Sequence, residues 1–310
     1  MTVSAVLRRV ILSRAARRDA IIASTSARIE ARWRRTDPWD GEAVGEFAAA
    51  AAELSVAAQG AMVSLATAAQ LVYFRELGLE LEDFFPEVPP EVRFFSEEAA
   101  SQFAKPTVVL SGGIESQRLS TTEPFNRPAR QYRAAVSTGT DPAKALEATI
   151  QRAKIIAGTN LALAEREAEH LILKEATRQG VAVIGWRRVI HPEESKSGSC
   201  GLCIAASDRL YTVEELKPIH DHCCCETLPV TADNDPGDEL NREDLKRLYG
   251  DAGGTGREQL KRTRYKVDNH GELQAVLVPA RRETVPRELA TQRQKPVDLD
   301  AFARELNALP

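Results

Sequence analysis

Val3, Val6, Leu7, Val10 and Ile11 recur at helical spacing, while Arg8, Arg9, Arg14, Arg17 and Arg18 occupy much of the remaining surface. The pattern predicts an amphipathic basic helix, and its short apolar face without aromatics suits docking on protein better than lying on a membrane. Asp37-Pro38-Trp39-Asp40-Gly41 interrupts it, because proline restricts its predecessor and glycine loosens the backbone after it. Residues 42–76 then read as a long alanine-rich helix carrying Phe47, Leu54, Met62, Leu65, Leu71 and Tyr73. Gly45 and Gly60 each weaken it by about 1 kcal/mol relative to alanine. Small side chains let neighbouring helices approach closely, so this element is expected in a bundle.

Residues 79–140 follow neither period. Phe84, Phe85, Phe94 and Phe95 stand among acids and Pro86, Pro89 and Pro90, an irregular connection with two apolar anchors. Residues 107–110 suit a short strand ended by Ser111-Gly112-Gly113. Asp141-Pro142 then signals a helix start, an N-cap with proline at the first helical position. Leu146, Ile150, Ile155 and Ile156 continue an apolar face, Gly158-Thr159-Asn160 is expected to bend or break it, and Leu163, Leu171 and Ile172 resume it. Gly180 is a natural helix terminator.

Beyond it the period shortens. Residues 181–190 are β-branched with a tryptophan, and alternation over 186–190 fits a half-buried strand, turned by His191-Pro192. Residues 209–213 and 226–230 suit two more short strands. A polar linker comes next, then a helix at 239–249, a flexible point at Gly253-Gly254-Thr255-Gly256, a strand at 273–278 and a short helix near 299–306. The expected fold class is α+β and predominantly helical, with long N-terminal and central helices, a small zinc-clasped β module and an extended C-terminal tail. The expected regions are a helical N-terminal region with a basic arm (1–78), an acidic, proline-rich connection (79–140), a helix plus Cys/His β module (141–230) and a partly ordered tail (231–310).

Composition adds little to that picture, since 310 residues allow one large or two ordinary domains and a net charge of −4 does not mark a nucleic-acid binder. The distribution of charge says more. Residues 1–35 carry nine arginines against Asp19 and Glu30, whereas 76–98 carries eight acids against Arg93. Such polarity suits a basic arm that meets DNA or an acidic protein surface, although a solvated helix face is the commoner cause of charge runs. No eighteen-residue apolar run and no secretory signal is apparent in the sequence pattern, so a soluble protein made in a reducing compartment is expected.

Cysteine usage is the strongest chemical signal. All five cysteines lie between Cys200 and Cys225, as C-x2-C, a loop and then His220-Asp221-His222-Cys223-Cys224-Cys225. Two knuckle-like turns of this spacing offer thiolate and imidazole ligands to a tetrahedral zinc. Reduced core thiols or a disulfide are the rival readings, although five cysteines leave one over and adjacent cysteines rarely meet disulfide geometry. The candidate metal ligands are Cys200, Cys203, His220, Cys223 and Cys225. With His222 and Cys224 added, the donors exceed the four places available. Three short strands bury little core, and a structural zinc would supply a cross-link.

The run WRRVIHPEESKSGSCGLCIAASDRLYTVEELKPIHDHCCCETLPV, residues 186–230, resembles the signature of the phage Mu F-like minor head proteins, above all their versions in tailed phages of actinobacteria. The matching positions are the aromatic–Arg pair Trp186 and Arg187, then Cys200 and Cys203, then His220, Cys223 and Cys225 before a hydrophobic-Pro step. Asp221-His222 and Cys224 stand where the family usually has Pro-Asn and Arg or Lys. The resemblance implies a virion protein inside the head, present in host cytoplasm during assembly and associated with the portal protein and with major capsid or scaffold protein. It would act in procapsid assembly, DNA packaging or ejection; the residues themselves give no expectation of an enzyme. The basic arm would suit packaged DNA, since arginine neutralises phosphate without reading sequence.

Three rival functions arise from particular residues. A capsid maturation protease would need an activated hydroxyl, for which Ser111, or Ser197 and Ser199 with His191, are the candidates, but no G-x-S-x-G elbow is present. A catalytic zinc would place a carboxylate such as Glu214, Glu215 or Asp221 nearby, whereas a cysteine-rich ligand set favours a closed structural site. A zinc-containing nucleic-acid-binding module would carry basic residues in its loop, yet 204–222 holds only Arg209 and Lys217 against four acids.

Overall fold

A computed structural model describes residues 5–82, 84–94, 118–190, 201–213, 215–216, 225–251, 265–268 and 276–279. In chain order the elements are α1 (Ala5–Trp33), α2 (Gly41–Glu76), β1 (Arg93–Phe94), β2 (Arg118–Leu119), a 3-10 turn (Glu123–Asn126), α3 (Arg127–Ser137) and α4 (Pro142–Arg178). They continue with β3 (Gly185–Val189), α5 (Gly201–Ala206), β4 (Leu210–Tyr211), β5 (Glu226–Val230), α6 (Pro236–Asp251), β6 (Tyr265–Asp268) and β7 (Val276–Pro279). The described chain is mostly helical with a small three-stranded antiparallel sheet, the α+β class expected.

Local chemistry sets the helix ends. Asp40 caps α2 by accepting from the Glu42 and Ala43 amides at 2.8 and 3.3 Å, and Asp141 caps α4 from the Lys144 amide at 3.0 Å, with Pro142 behind it. Gly180 ends α4 at φ +70°, which lets the Val181 amide reach back to the Ala176 carbonyl at 3.0 Å. Between these caps α4 runs unbroken through Gly158-Thr159-Asn160, contrary to expectation. Tertiary contacts hold the backbone there: Gly158 faces Ile22, and Asn160 accepts a hydrogen bond from Arg93.

α2 and α4 pack in parallel, with Ala48, Ala51 and Ala52 beside Ala153 and Ala157 at one end and Phe74 beside Ile172, Leu173 and Ala176 at the other. Alanine on both surfaces permits this close approach. α1 lies antiparallel in one groove of the pair: Trp33 meets Phe47 at one end, with ring centroids 4.9 Å apart, while Leu7 and Ile11 meet Ala69 and Tyr73 at the other. The Trp33 indole is fully buried and donates to the Thr149 hydroxyl at 3.0 Å. Burial of an indole removes about 150–250 Å² from water, on the order of 4–6 kcal/mol. Residues 84–94 run along the opposite groove, where Val88 and Val92 pack on Val63, Ala66, Ala164 and Ala168. The basic helix therefore docks within its own chain.

By length and composition α2 is apolar enough to cross a bilayer, with a mean hydropathy of 1.3 over eighteen residues, which corrects the expectation that no run qualifies. Alanine supplies that hydropathy. The helix also buries Ser55, Gln59, Thr67 and Gln70 among its neighbours.

The sheet has the order β4-β3-β5, with Trp186 opposite Pro229 and Val189 opposite Glu226. Trp186 meets Phe74 edge-on at 5.9 Å, while Val189 and Leu228 join the cluster around Leu7 and Tyr73. Residues 186–189 and all of β5 are buried, so the strand expected to be half-buried is covered on both faces. α6 provides part of that cover. Its Asn241 donates to the Arg188 carbonyl at 2.7 Å, and Gly237 lies against the Arg187 side chain, where an added Cβ would come within 3.0 Å. Arg187 also grips Asp235 through Nε and Nη2 at 2.6–2.9 Å and donates to the Ser207 carbonyl. An ion pair and a helix thus tie the short strands to the chain beyond β5.

Candidate functional site

Of the five residues anticipated as metal ligands, Cys203 and Cys225 fall among the described residues, whereas Cys200, His220 and Cys223 lie outside them. Cys203 is buried within the six-residue helix α5, not in a knuckle turn, and its neighbour Ile204 packs on Ile190. Cys225 is half-buried immediately before β5, whose first residue pairs with Val189. Both cysteines are thereby delivered to the Val189–Ile190 end of β3. The Cys225 sulfur accepts from Arg188 Nη1 at 3.3 Å, and a guanidinium donor suits an anionic sulfur. Among the described residues no three His, Cys, Asp or Glu side chains converge as a metal would require. Of the other residues considered for chemistry, Ser111, His191, Ser197, Ser199, Glu214 and Asp221 lie outside the described residues. Glu215 accepts from Arg209 at 2.5 Å and from the Thr212 amide at 3.0 Å, which fixes a turn.

A second cluster was not anticipated. Arg14 and Arg18, expected on the surface of α1, are 2% and 5% exposed. The Arg14 guanidinium donates to Glu165 at 2.7 Å and at closer range to Glu169, and lies 3.6 Å from Glu226 on β5. Arg18 adds a contact to Glu165 at 3.9 Å, and the Tyr73 hydroxyl donates to Glu226. One point therefore joins α1, α2, α4 and β5.

The electrostatics are set by burial. Desolvation alone would lower the Arg14 guanidinium, but the fields of Glu169, Glu226 and Glu165 outweigh it and hold the group well above its usual range. Burial pushes the Tyr73 phenol up, and the charge on Glu226 adds to it. Burial likewise raises the Glu169 carboxyl, with Arg14 pulling the other way. Geometry of this kind fixes elements relative to one another and keeps carboxylates out of water. Helical register carried the signal: Leu7, Ile11, Arg14 and Arg18 share one face of α1, and Leu161, Glu165, Glu169 and Ile172 share one face of α4.

A cavity of about 40 Å³ opens where this cluster meets the cysteine end of the sheet, lined by Arg166, Glu169, His170, Arg188, Cys225 and Thr227 among others. It has room for roughly three waters. Fold and site together define a predominantly helical α+β protein with a buried ionic node beside a cysteine-bearing sheet. No family model matches the chain, and neither a curated protein nor a solved structure matches it significantly.

Proposed function

We propose that the chain is a minor head protein of a tailed phage, held inside the head beside the portal, which acts in procapsid assembly and in DNA packaging or ejection. The observation that carries this reading is the signature over residues 186–230, with Trp186 and Arg187 on the central strand and Cys203 and Cys225 at its far end. A structural zinc held by four of Cys200, Cys203, His220, Cys223 and Cys225 would cross-link the β module at the Val189–Ile190 end of β3. The Arg188 donor on the Cys225 sulfur and the burial of Cys203 support a closed thiolate site. The partners of this reading are the portal protein, major capsid or scaffold protein, and packaged DNA met through exposed arginines of α1.

Two measurements test it separately. Full-length protein purified under reducing conditions should carry one zinc per chain, and replacing Cys200 and Cys203 by serine should abolish binding and loosen residues 181–230 while the long helices stay folded. Zinc well below one equivalent removes the metal from the proposal. Coexpression with portal, scaffold and major capsid proteins should place the chain in purified procapsids at low copy; its exclusion from portal-containing procapsids refutes the function itself.

A further inference from the structure

The two grooves of the α2–α4 pair are filled by segments of opposite charge. On one side, the outer surface of α1 and the turn after it expose Arg9, Arg17, Arg28, Arg32 and Arg35, none of which has an acidic partner among the described residues. The other arginines of this region are engaged: Arg14 and Arg18 are buried, Arg8 pairs with Glu239, and Arg34 pairs with Glu30 and Glu147. On the opposite side the chain from 79 to 94 exposes Glu80, Glu82 and Glu87, with Glu91 half-buried. Its cation Arg93 is turned inward to Asn160 and the Ile156 carbonyl, and nearby Arg178 is held by Glu175.

Each charged surface also carries an apolar anchor. Phe85, amid the acids, is 61% exposed, and Leu12 and Val6, amid the arginines, are 60% and 47% exposed. Aromatic anchors ringed by complementary charge are typical of interface centres. The dimensions also agree. From Val6 to Arg17 α1 runs about 17 Å, within the reach of about 24 Å of an extended chain from residue 80 to 87.

We infer that the protein associates with itself head to tail: the segment carrying Glu80, Glu82, Phe85 and Glu87 of one copy docks on the α1 surface carrying Val6, Arg9, Leu12 and Arg17 of the next. The two patches lie on opposite sides of one molecule, so the contact is heterologous and generates a ring if the rotation closes and a filament if it does not. The inference does not rest on the head-protein reading.

Sedimentation velocity of the full 34.0 kDa chain tests it. At about 0.05 M salt the protein should sediment as an oligomer, and at about 1 M, where the screening length falls to roughly 3 Å, it should shift toward monomer. The triple variant Arg9→Glu, Arg17→Glu, Arg28→Glu should be monomeric at low salt, and so should Glu80→Lys, Glu82→Lys, Glu87→Lys. All six side chains are exposed, so both variants should keep the wild-type circular dichroism spectrum. An equimolar mixture should recover the oligomer, because each reversed patch then meets its complement. A wild-type monomer at low salt, an oligomer indifferent to either reversal, or a mixture that stays monomeric would each overturn the inference.

Discussion

Replacing Arg14 by methionine keeps most of the volume of the side chain and removes its charge. Glu165, Glu169 and Glu226 would then share a buried site without their central guanidinium, with Arg18 3.9 Å from Glu165. Removing one partner of a buried ion pair costs about 3–5 kcal/mol, because the remaining charge has neither water nor counter-ion. Three carboxylates meet at this guanidinium, so the upper end of that range applies at neutral pH. With a urea dependence of roughly 3 kcal/mol per molar, the unfolding midpoint should fall by about 1.3 to 1.7 M. The loss should be smaller at acidic pH, where Glu169, whose carboxyl burial already raises, relieves part of the imbalance by taking up a proton. Adding Glu169→Gln and Glu226→Gln to Arg14→Met should recover much of it, since no uncompensated pair then remains. Helical circular dichroism followed through urea titrations supplies the measurement, with Arg17→Met on the exposed face as a control expected within about 0.5 kcal/mol of wild type. A cost for Arg14→Met below about 1 kcal/mol, equal at both pH values, would refute the reasoning: the cluster would then be reached by water.

Two further outcomes concern the same core. The Glu169 carboxyl is raised by burial above its ordinary 4.5, so the folded state holds its proton more tightly than the unfolded state. Its contribution to stability is therefore present below pH 4.5 and is lost as pH rises through the raised folded value, and Glu169→Gln should flatten that decline in urea midpoints measured across the range. Gly237→Ala should destabilise the junction of α6 with the sheet by about 1–3 kcal/mol, because the new methyl meets three carbons of Arg187 at 3.0–3.1 Å. Hydrogen exchange should report faster opening around Asn241; unchanged protection there would mean that Arg187 adjusts freely.

Much of the helical framework was legible because its signals are local. Asp141 and Gly180 mark ends that each need only a few neighbouring residues, and β5 coincides with the run 226–230 expected as a strand. The buried ionic node was not legible. Its register signal is present in α1 and α4, but arginine and glutamate on an apolar stripe gain meaning only once the two stripes are known to face each other. Arg187 and Arg188 misled for a related reason. The strand that holds them read as half-buried, whereas both are buried: Asp235, Tyr211 and Cys225 receive their charged ends while the stems pack. The route of residues 84–94 along α2 and α4 carries no period at all, since Val88 and Val92 are held by side-chain contacts outside any long element.

The ionic node also constrains the order in which the protein is made. Glu165 and Glu169 follow Arg14 by 151 and 155 residues, and Glu226 comes later still. The groove that receives α1 is incomplete until β5 exists, so α1 is synthesised well before it can be seated. Until then a basic, partly apolar segment stays outside the fold, held back by a loop closure spanning about half the chain.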